Sequence, residues 1–275
     1  MTAATFKRCT LEIAPDRYDE AVAALLDLEI VGWQERLPVL TFWLTDEAYA
    51  AAQRDGTVDA LRTLGRFFVE PEASGWEDQW RRFHHPVTAG GVTVRPPWAE
   101  PRPGTHDVII DVGMAFGTGS HATTRQCLAV LAELQPSSLF DAGTGTGVLA
   151  LAAMRLGFAP VFACDNDATA LVIAEENARR NGLRPLLFGA DVTAAAVELP
   201  QAEVVVANIA LGPIVALGAR YAAARAAGRA HPRTVVLAGL LADQVAPARA
   251  AFAGYREGRT EIEGEWNCVV LEAAP

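Results

Sequence analysis

Leu139-Phe140-Asp141-Ala142-Gly143-Thr144-Gly145-Thr146-Gly147 runs from a short apolar strand through an acidic residue into three glycines at alternate positions. Val148-Leu149-Ala150-Leu151-Ala152-Ala153-Met154 follows at once and reads as a helix. Glycines at this spacing let backbone approach a ligand closely at the carboxyl end of a strand, with the helix N-terminus aimed at it. The dinucleotide fingerprint G-x-G-x-x-G needs a small residue at its sixth position, and here that position is Val148. The loop is therefore G-x-G-x-G, and its surroundings decide what it holds.

Downstream, apolar strands alternate with helices. Strands are expected at Ser138–Phe140, Val161–Cys164, Leu186–Phe188, Val204–Ala207 and Thr234–Ala238, with helices starting near Val148, Ala168, Leu211 and Ala242. Near-continuous apolar strands in βα alternation mean a parallel sheet covered on both faces, a Rossmann-like α/β domain. Tyr255 to Glu263 and Trp266 to Glu272, turning at Gly264-Glu265, read as a hairpin that supplies an antiparallel edge strand. Upstream, the order is different: a strand at Phe6–Ile13, a helix over Pro15–Leu28, strands at Ile30–Glu35 and Leu37–Leu44, one helix over Asp46–Leu64 with Asp46 as N-cap, and a strand at Arg66–Glu70. That β-α-β-β-α-β order is the ferredoxin-like split unit. The expected organisation is thus a ferredoxin-like α+β domain over 1–72, a linker helix over 73–86 carrying Trp76 and Trp80, and the α/β domain over 87–275.

At 275 residues with 51% hydrophobic and 20% charged side chains, the chain reads as a soluble globular protein. No apolar run is long enough to span a membrane, and the N-terminus lacks the apolar stretch of a signal peptide. Cys9, Cys127, Cys164 and Cys268 are scattered, which predicts reduced, buried thiols in the cytoplasm and no metal site. The adjacent His84-His85 point apart on any regular element and do not change that expectation. A formal net charge of -10 argues against direct docking on nucleic acid and suits a basic protein partner. Lys7 is the only lysine among 23 basic residues, so no phosphate-binding-loop lysine is present.

In an open α/β sheet, ligands bind beyond the carboxyl ends of the strands. Four polar residues fall at successive strand ends. Asp141 heads the glycine loop containing Gly143, Gly145 and Gly147. Asp165, eighteen residues after Gly147, can accept hydrogen bonds from vicinal ribose hydroxyls, or else cap the next helix. Asp191 can accept from an adenine amino group, or else stabilise a turn. Asn208 can aim an amine through its side-chain oxygen, or else cap the helix near Leu211. A second glycine-rich stretch, Gly113-Met114-Ala115-Phe116-Gly117-Thr118-Gly119-Ser120-His121-Ala122-Thr123-Thr124, can act as a lid with Phe116 covering the cofactor and Thr124 donating a hydroxyl, or can be a structural loop. His121 is more simply a helix cap than a base.

These motifs together resemble the PrmA family, the methyltransferases of large-subunit ribosomal protein L11 (L-eleven). The resemblance rests on Gly113 to Gly119 with His121, Thr123 and Thr124; on Asp141 to Gly147; on Asp165-x-Asp167; on Val206-Ala207-Asn208-Ile209 with Gly212-Pro213; on Ala238-Gly239-Leu240-Leu241; on Gly264-Glu265-Trp266; and on Trp76-x3-Trp80 and Pro97-Trp98. It implies a class I methyltransferase domain that uses S-adenosylmethionine (SAM), preceded by a substrate-recognition domain. It further implies N-methylation of lysine and N-terminal amines on the ribosomal protein; nothing in the sequence calls for a dimer, so a monomer is expected. Thr124, Gly143, Asp165 and Asn208 would then contact the cofactor or line its pocket. Three other readings remain open on sequence: methylation of a different protein lysine or small amine, a SAM-binding interaction protein without catalysis, and an NAD-dependent oxidoreductase, the last weakened by Val148.

Overall fold

The computed structural model describes residues 6–14, 17, 20–21, 24–25, 28, 30–36, 38–72, 85–111 and 121–274, with backbone only at 31–36 and 72. The chain divides into two compact units, Met1–Phe83 and His84–Pro275.

In the first unit, β1 (Phe6–Ile13), β2 (Ile30–Arg36), β3 (Val39–Thr45) and β4 (Gly65–Glu72) form one antiparallel sheet in the order β2-β3-β1-β4. Alternation puts Cys9, Leu11 and Ile13 of β1 on the same buried face as Leu40, Phe42 and Leu44 of β3. Ala48 and Ala52 of α1 (Asp46–Arg54) and Val58 and Leu61 of α2 (Thr57–Leu64) pack on that face. The single helix expected over Asp46–Leu64 is therefore two. Asp55 ends the first, and Gly56, at φ +87°, takes the left-handed backbone that a helix interior excludes. The N-cap is Thr45 rather than Asp46: its hydroxyl accepts from the Ala48 N–H at 3.0 Å. The expected helix over Pro15–Leu28 is described only in part, with Glu20, Ala21, Ala24 and Leu25 helical.

The second unit opens with a small sheet of β5 (Val87–Ala89), β6 (Val92–Arg95) and β7 (His106–Ile109). The buried Arg95 guanidinium grips Asp107 of β7 through two hydrogen bonds of 2.7 and 2.8 Å. The linker helix, Trp76, Trp80 and His84 lie outside the described residues.

Helix α3 (Ala122–Glu133) then leads into a seven-stranded sheet. Its members are β8 (Leu139–Ala142), β9 (Val161–Asp165), β10 (Leu186–Gly189), β11 (Val204–Asn208), β12 (Thr234–Leu240), β13 (Tyr255–Glu263) and β14 (Trp266–Ala273), ordered β10-β9-β8-β11-β12-β14-β13. The first five strands in that order are parallel, and the terminal hairpin adds β14 antiparallel to β12 with β13 antiparallel to β14 at the edge. Leu139, Val206 and Val236 face one core, and Phe140, Val205 and Val235 the other, so β8, β11 and β12 are buried on both sides. Helices α4 (Val148–Arg155), α5 (Ala168–Asn181), α6 (Leu211–Ala226) and α7 (Ala242–Ala251) follow β8, β9, β11 and β12. The chain winds from β8 to β9 and β10 on one side and continues at β11 and β12 on the other. The switch point falls between β8 and β11.

Candidate active site

The loop after β8 is built by its glycines and by one buried acid. Gly143, Gly145 and Gly147 all have positive φ, at 80°, 53° and 83°. The Gly143 and Thr144 N–H groups donate to the Cys164 carbonyl at 2.9 and 2.8 Å, which carries the loop across the end of β9. Asp141 lies beneath the loop, 1% exposed. Its Oδ2 accepts from the Thr144 hydroxyl at 2.7 Å and from the Ala150 N–H in the first turn of α4 at 3.1 Å. Its Oδ1 is buried without a partner among the described residues. Burial pushes the Asp141 carboxyl up to about 7, against the two hydrogen bonds that favour its charged form. In this structure its contacts are with the loop and the helix it starts.

Asp165 ends β9. Its Oδ2 accepts from the Gly145 N–H at 2.9 Å and its Oδ1 from the Asp167 N–H at 3.0 Å. Each carboxylate oxygen keeps a further lone pair for a ligand. Capping of α5 falls to Asp167, which accepts from the Thr169 N–H at 2.8 Å, so Asp165 is not the cap. Asp191, two residues beyond β10, closes a turn by accepting from the N–H and hydroxyl of Thr193 at 2.8 and 2.7 Å. Those bonds hold its carboxyl below the usual carboxylate range. It is thus a turn residue and also faces the cleft.

The cleft beyond the strand ends is lined by Gly143, Asp165, Asn166, Ala190, Asp191, Val192, Ile209 and Pro213. It brings together the loops after β8, β9, β10 and β11, as a switch point requires. Two carboxylates and no basic side chain line it, a surface of acceptors that suits a ligand with positive charge, ribose hydroxyls and an amino group. A pyrophosphate would meet repulsion there. The set fits SAM and fits a dinucleotide poorly.

Asn208 ends β11 and is half-buried. The N-cap of α6 is Ala210, without a side-chain cap, so Asn208 does not serve that purpose. No described residue hydrogen-bonds its amide, which stays available to a ligand. Thr124 lies buried in the first turn of α3, and Phe116, with the whole 112–120 stretch, falls outside the described residues. His121 caps α3 by accepting from the Thr123 N–H through Nδ1 at 3.4 Å, and its ring meets Trp266 edge-on at 5.0 Å. Burial, with Arg125 close by, holds its imidazole below the ordinary value. All four cysteines are free and buried. Among the described residues no cluster of His, Cys, Asp or Glu is arranged for a metal ion.

Two contributors, Asn177 and Asn181, carried only a faint local sequence signal. Asn177 of α5 donates from Nδ2 to the Thr146 carbonyl at 3.0 Å and accepts from the Asp111 N–H at 2.9 Å, tying the glycine loop to the strand that precedes residue 112. Asn181, one turn on, pairs with both backbone groups of Ile109. Two asparagines four apart inside a helix are poor helix formers, and that was the available clue.

The family model for ribosomal protein L11 methyltransferase (PrmA) matches residues 16–274. The chain belongs to this family. SAM is the methyl donor in this family of methyltransferases. A ribosomal protein L11 methyltransferase of Azotobacter vinelandii is 40% identical over 272 residues, covering 89% of this chain and 90% of that protein. One from Geobacter metallireducens is 34% identical over 250 residues, 87% and 78% of the two chains. The crystal structure of a ribosomal protein L11 methylase from Lactobacillus delbrueckii subsp. bulgaricus superposes with a TM-score of 0.59 at 23% identity, over 70% of this chain and 98% of that one, which establishes the shared fold. The methyltransferase family, together with the acceptor-lined cleft, answers the oxidoreductase reading.

Proposed function

We propose that this chain methylates lysine and N-terminal amines of ribosomal protein L11, with the Met1–Phe83 unit recognising the protein substrate and the cleft beyond β8 to β11 holding SAM. The observation that carries the site is the convergence of Gly143, Asp165, Asp191 and Ile209 on one cleft at the switch point. The bound cofactor supplies an activated methyl group on a sulfonium. Asp165 accepts from the ribose hydroxyls and Asp191 from the adenine amine. The Gly143 to Gly147 backbone gives close approach, Thr124 in the first turn of α3 donates its hydroxyl, and Phe116 completes the set of cofactor contacts.

A neutral amine needs only to be held about 3–3.5 Å from the methyl carbon with its lone pair in line. Asn208, at the end of the strand beside the glycine loop, accepts an N–H of that amine through Oδ1 and aims the lone pair. An amide suits this step because it orients the amine without protonating it. The acidic chain supports a basic protein partner over nucleic acid. Buried free thiols support a reducing cytoplasm, and among the described residues no helix is long and apolar enough to cross a membrane. A monomer completes the reading.

Incubation with tritiated SAM and recombinant ribosomal protein L11, beside an Asn208→Ala variant, tests it. Label on L11 with the wild type and at least about a hundredfold less with the variant is expected, with SAM affinity retained. Label absent from L11 while SAM still binds would move the substrate elsewhere.

A further inference from the structure

Ala238-Gly239-Leu240-Leu241 closes β12 beside the site. Strand β12 pairs with β14 in register as far as Leu237–Val269 and resumes at Leu240–Asn267, so three steps on one strand oppose two on the other. Ala238 and Gly239 occupy this bulge, and on the opposite edge Ala238 pairs with Asn208 of β11. Bulges bend a strand and re-aim the residues next to them. Gly239 has φ +82°, a left-handed conformation that side chains rarely adopt.

The bare Cα of Gly239 faces the Asn208-Ile209 peptide. A methyl group there would lie 3.0 Å from the Ile209 carbonyl oxygen and 3.3 Å from Asn208 Oδ1. From the other side, Gly143 at φ +80° presses on the same segment, and a methyl group on it would come within 2.3 Å of Ile209 Cγ2. Asn208-Ile209 is therefore wedged between two left-handed glycines, one from the loop after β8 and one from the bulge in β12. Among the described residues none hydrogen-bonds the Asn208 amide, and Gly239 is the surface its oxygen packs on.

We propose that Gly239 is a positioning residue for methyl transfer: its missing side chain keeps open the slot in which the Asn208 amide oxygen lies, and so fixes the aim of that amide at the incoming amine. The proposal rests on the role given to Asn208 above. A displacement of the amide by a few tenths of an ångström weakens an interaction that matters in the transfer geometry, and leaves the adenine and ribose contacts at the other strand ends intact.

The test compares Gly239→Ala, Asn208→Ala, the double variant and Gly228→Ala by kcat and KM for ribosomal protein L11 and by calorimetric SAM affinity. Gly228, at φ +66° with nothing within 4 Å of an added methyl group, shares the backbone strain but crowds nothing. Gly239→Ala is expected to lower kcat about tenfold to a hundredfold with SAM affinity unchanged. The double variant should be no slower than Asn208→Ala alone, and Gly228→Ala should match the wild type. Wild-type kcat in Gly239→Ala, losses that multiply in the double variant, or an equal loss in Gly228→Ala would each overturn the proposal. Wild-type kcat in Asn208→Ala would instead remove the role of Asn208, and the proposal with it. Should Gly239→Ala fail to fold, Asn208→Ala added to it is expected to restore part of the thermal stability, because the crowded oxygen is gone; no restoration overturns the slot.

Discussion

Asp141 shows how a buried acid can organise a binding loop from beneath it. Its carboxylate joins the Thr144 hydroxyl to the first turn of α4, while one oxygen has no partner among the described residues. Desolvation dominates and raises the carboxyl from 3.8 to about 7. A group with a raised folded-state value binds its proton more tightly in the native protein than in the unfolded chain. Its contribution to stability is full below the unfolded value and is lost as pH rises through about 7. Stability of the wild type against urea is therefore expected to fall between about pH 4 and about pH 7, with a slope of at most about 1.4 kcal/mol per pH unit from this one proton. Asp141→Asn keeps an oxygen for both donors and cannot titrate, so it should flatten that slope. The same decline in the variant would assign the pH dependence to another group.

Helix α6 supports the cleft from a distance. Arg220, on the face of α6 toward the loop after β10, donates to the carbonyls of Val192 at 2.9 Å and Ala194 at 3.1 Å, and to that of Val197. That grip holds Val192, and next to it Asp191, at the cleft wall whose other side includes Pro213 of the same helix. Arg220→Met keeps the aliphatic stem but leaves those carbonyls without their donor, at a cost of about 1–3 kcal/mol in stability. SAM affinity is expected to drop about tenfold, equivalent to about 1.4 kcal/mol, with kcat at saturating SAM preserved. Calorimetry and single-turnover rates separate the two, and unchanged affinity would reduce Arg220 to a support for the fold. The strand ends were legible in the sequence because each acid or amide directly follows an apolar run, and βα topology gathers all such ends. The grip of Arg220 was not, since its partners lie 23 to 28 residues away along the chain and an arginine in a helix gives no local sign of them. The break of the Asp46–Leu64 helix was visible in Asp55-Gly56, but continuous apolar periodicity on both sides outweighed it. Asn208 was equally readable as a cap until Ala210 proved to be the N-cap of α6.

For the whole molecule, charge distribution is the property that bears on a protein substrate. Through Glu72 the chain has thirteen acidic and seven basic residues, giving -6 of the total -10. The unit assigned to substrate recognition is the more acidic one, and the methyltransferase unit keeps the remainder on about twice the length. Opposite charge on a basic ribosomal protein would steer encounter over distances of about one Debye length, about 10 Å at 0.1 M salt. The transfer itself takes place in a cleft that salt screens much less. Raising ionic strength should therefore raise KM for L11 severalfold while leaving kcat and SAM affinity nearly constant. A complementary variant that neutralises an acid of the first unit away from the ion pairs of its described residues, Glu47→Gln, should weaken the salt dependence in the same assay. A salt-independent KM would mean that recognition depends on apolar contact. The sheet face opposite the first unit's core, where Phe68 is 44% exposed beside Arg66 at 5.5 Å from its ring, would then be the surface to substitute next.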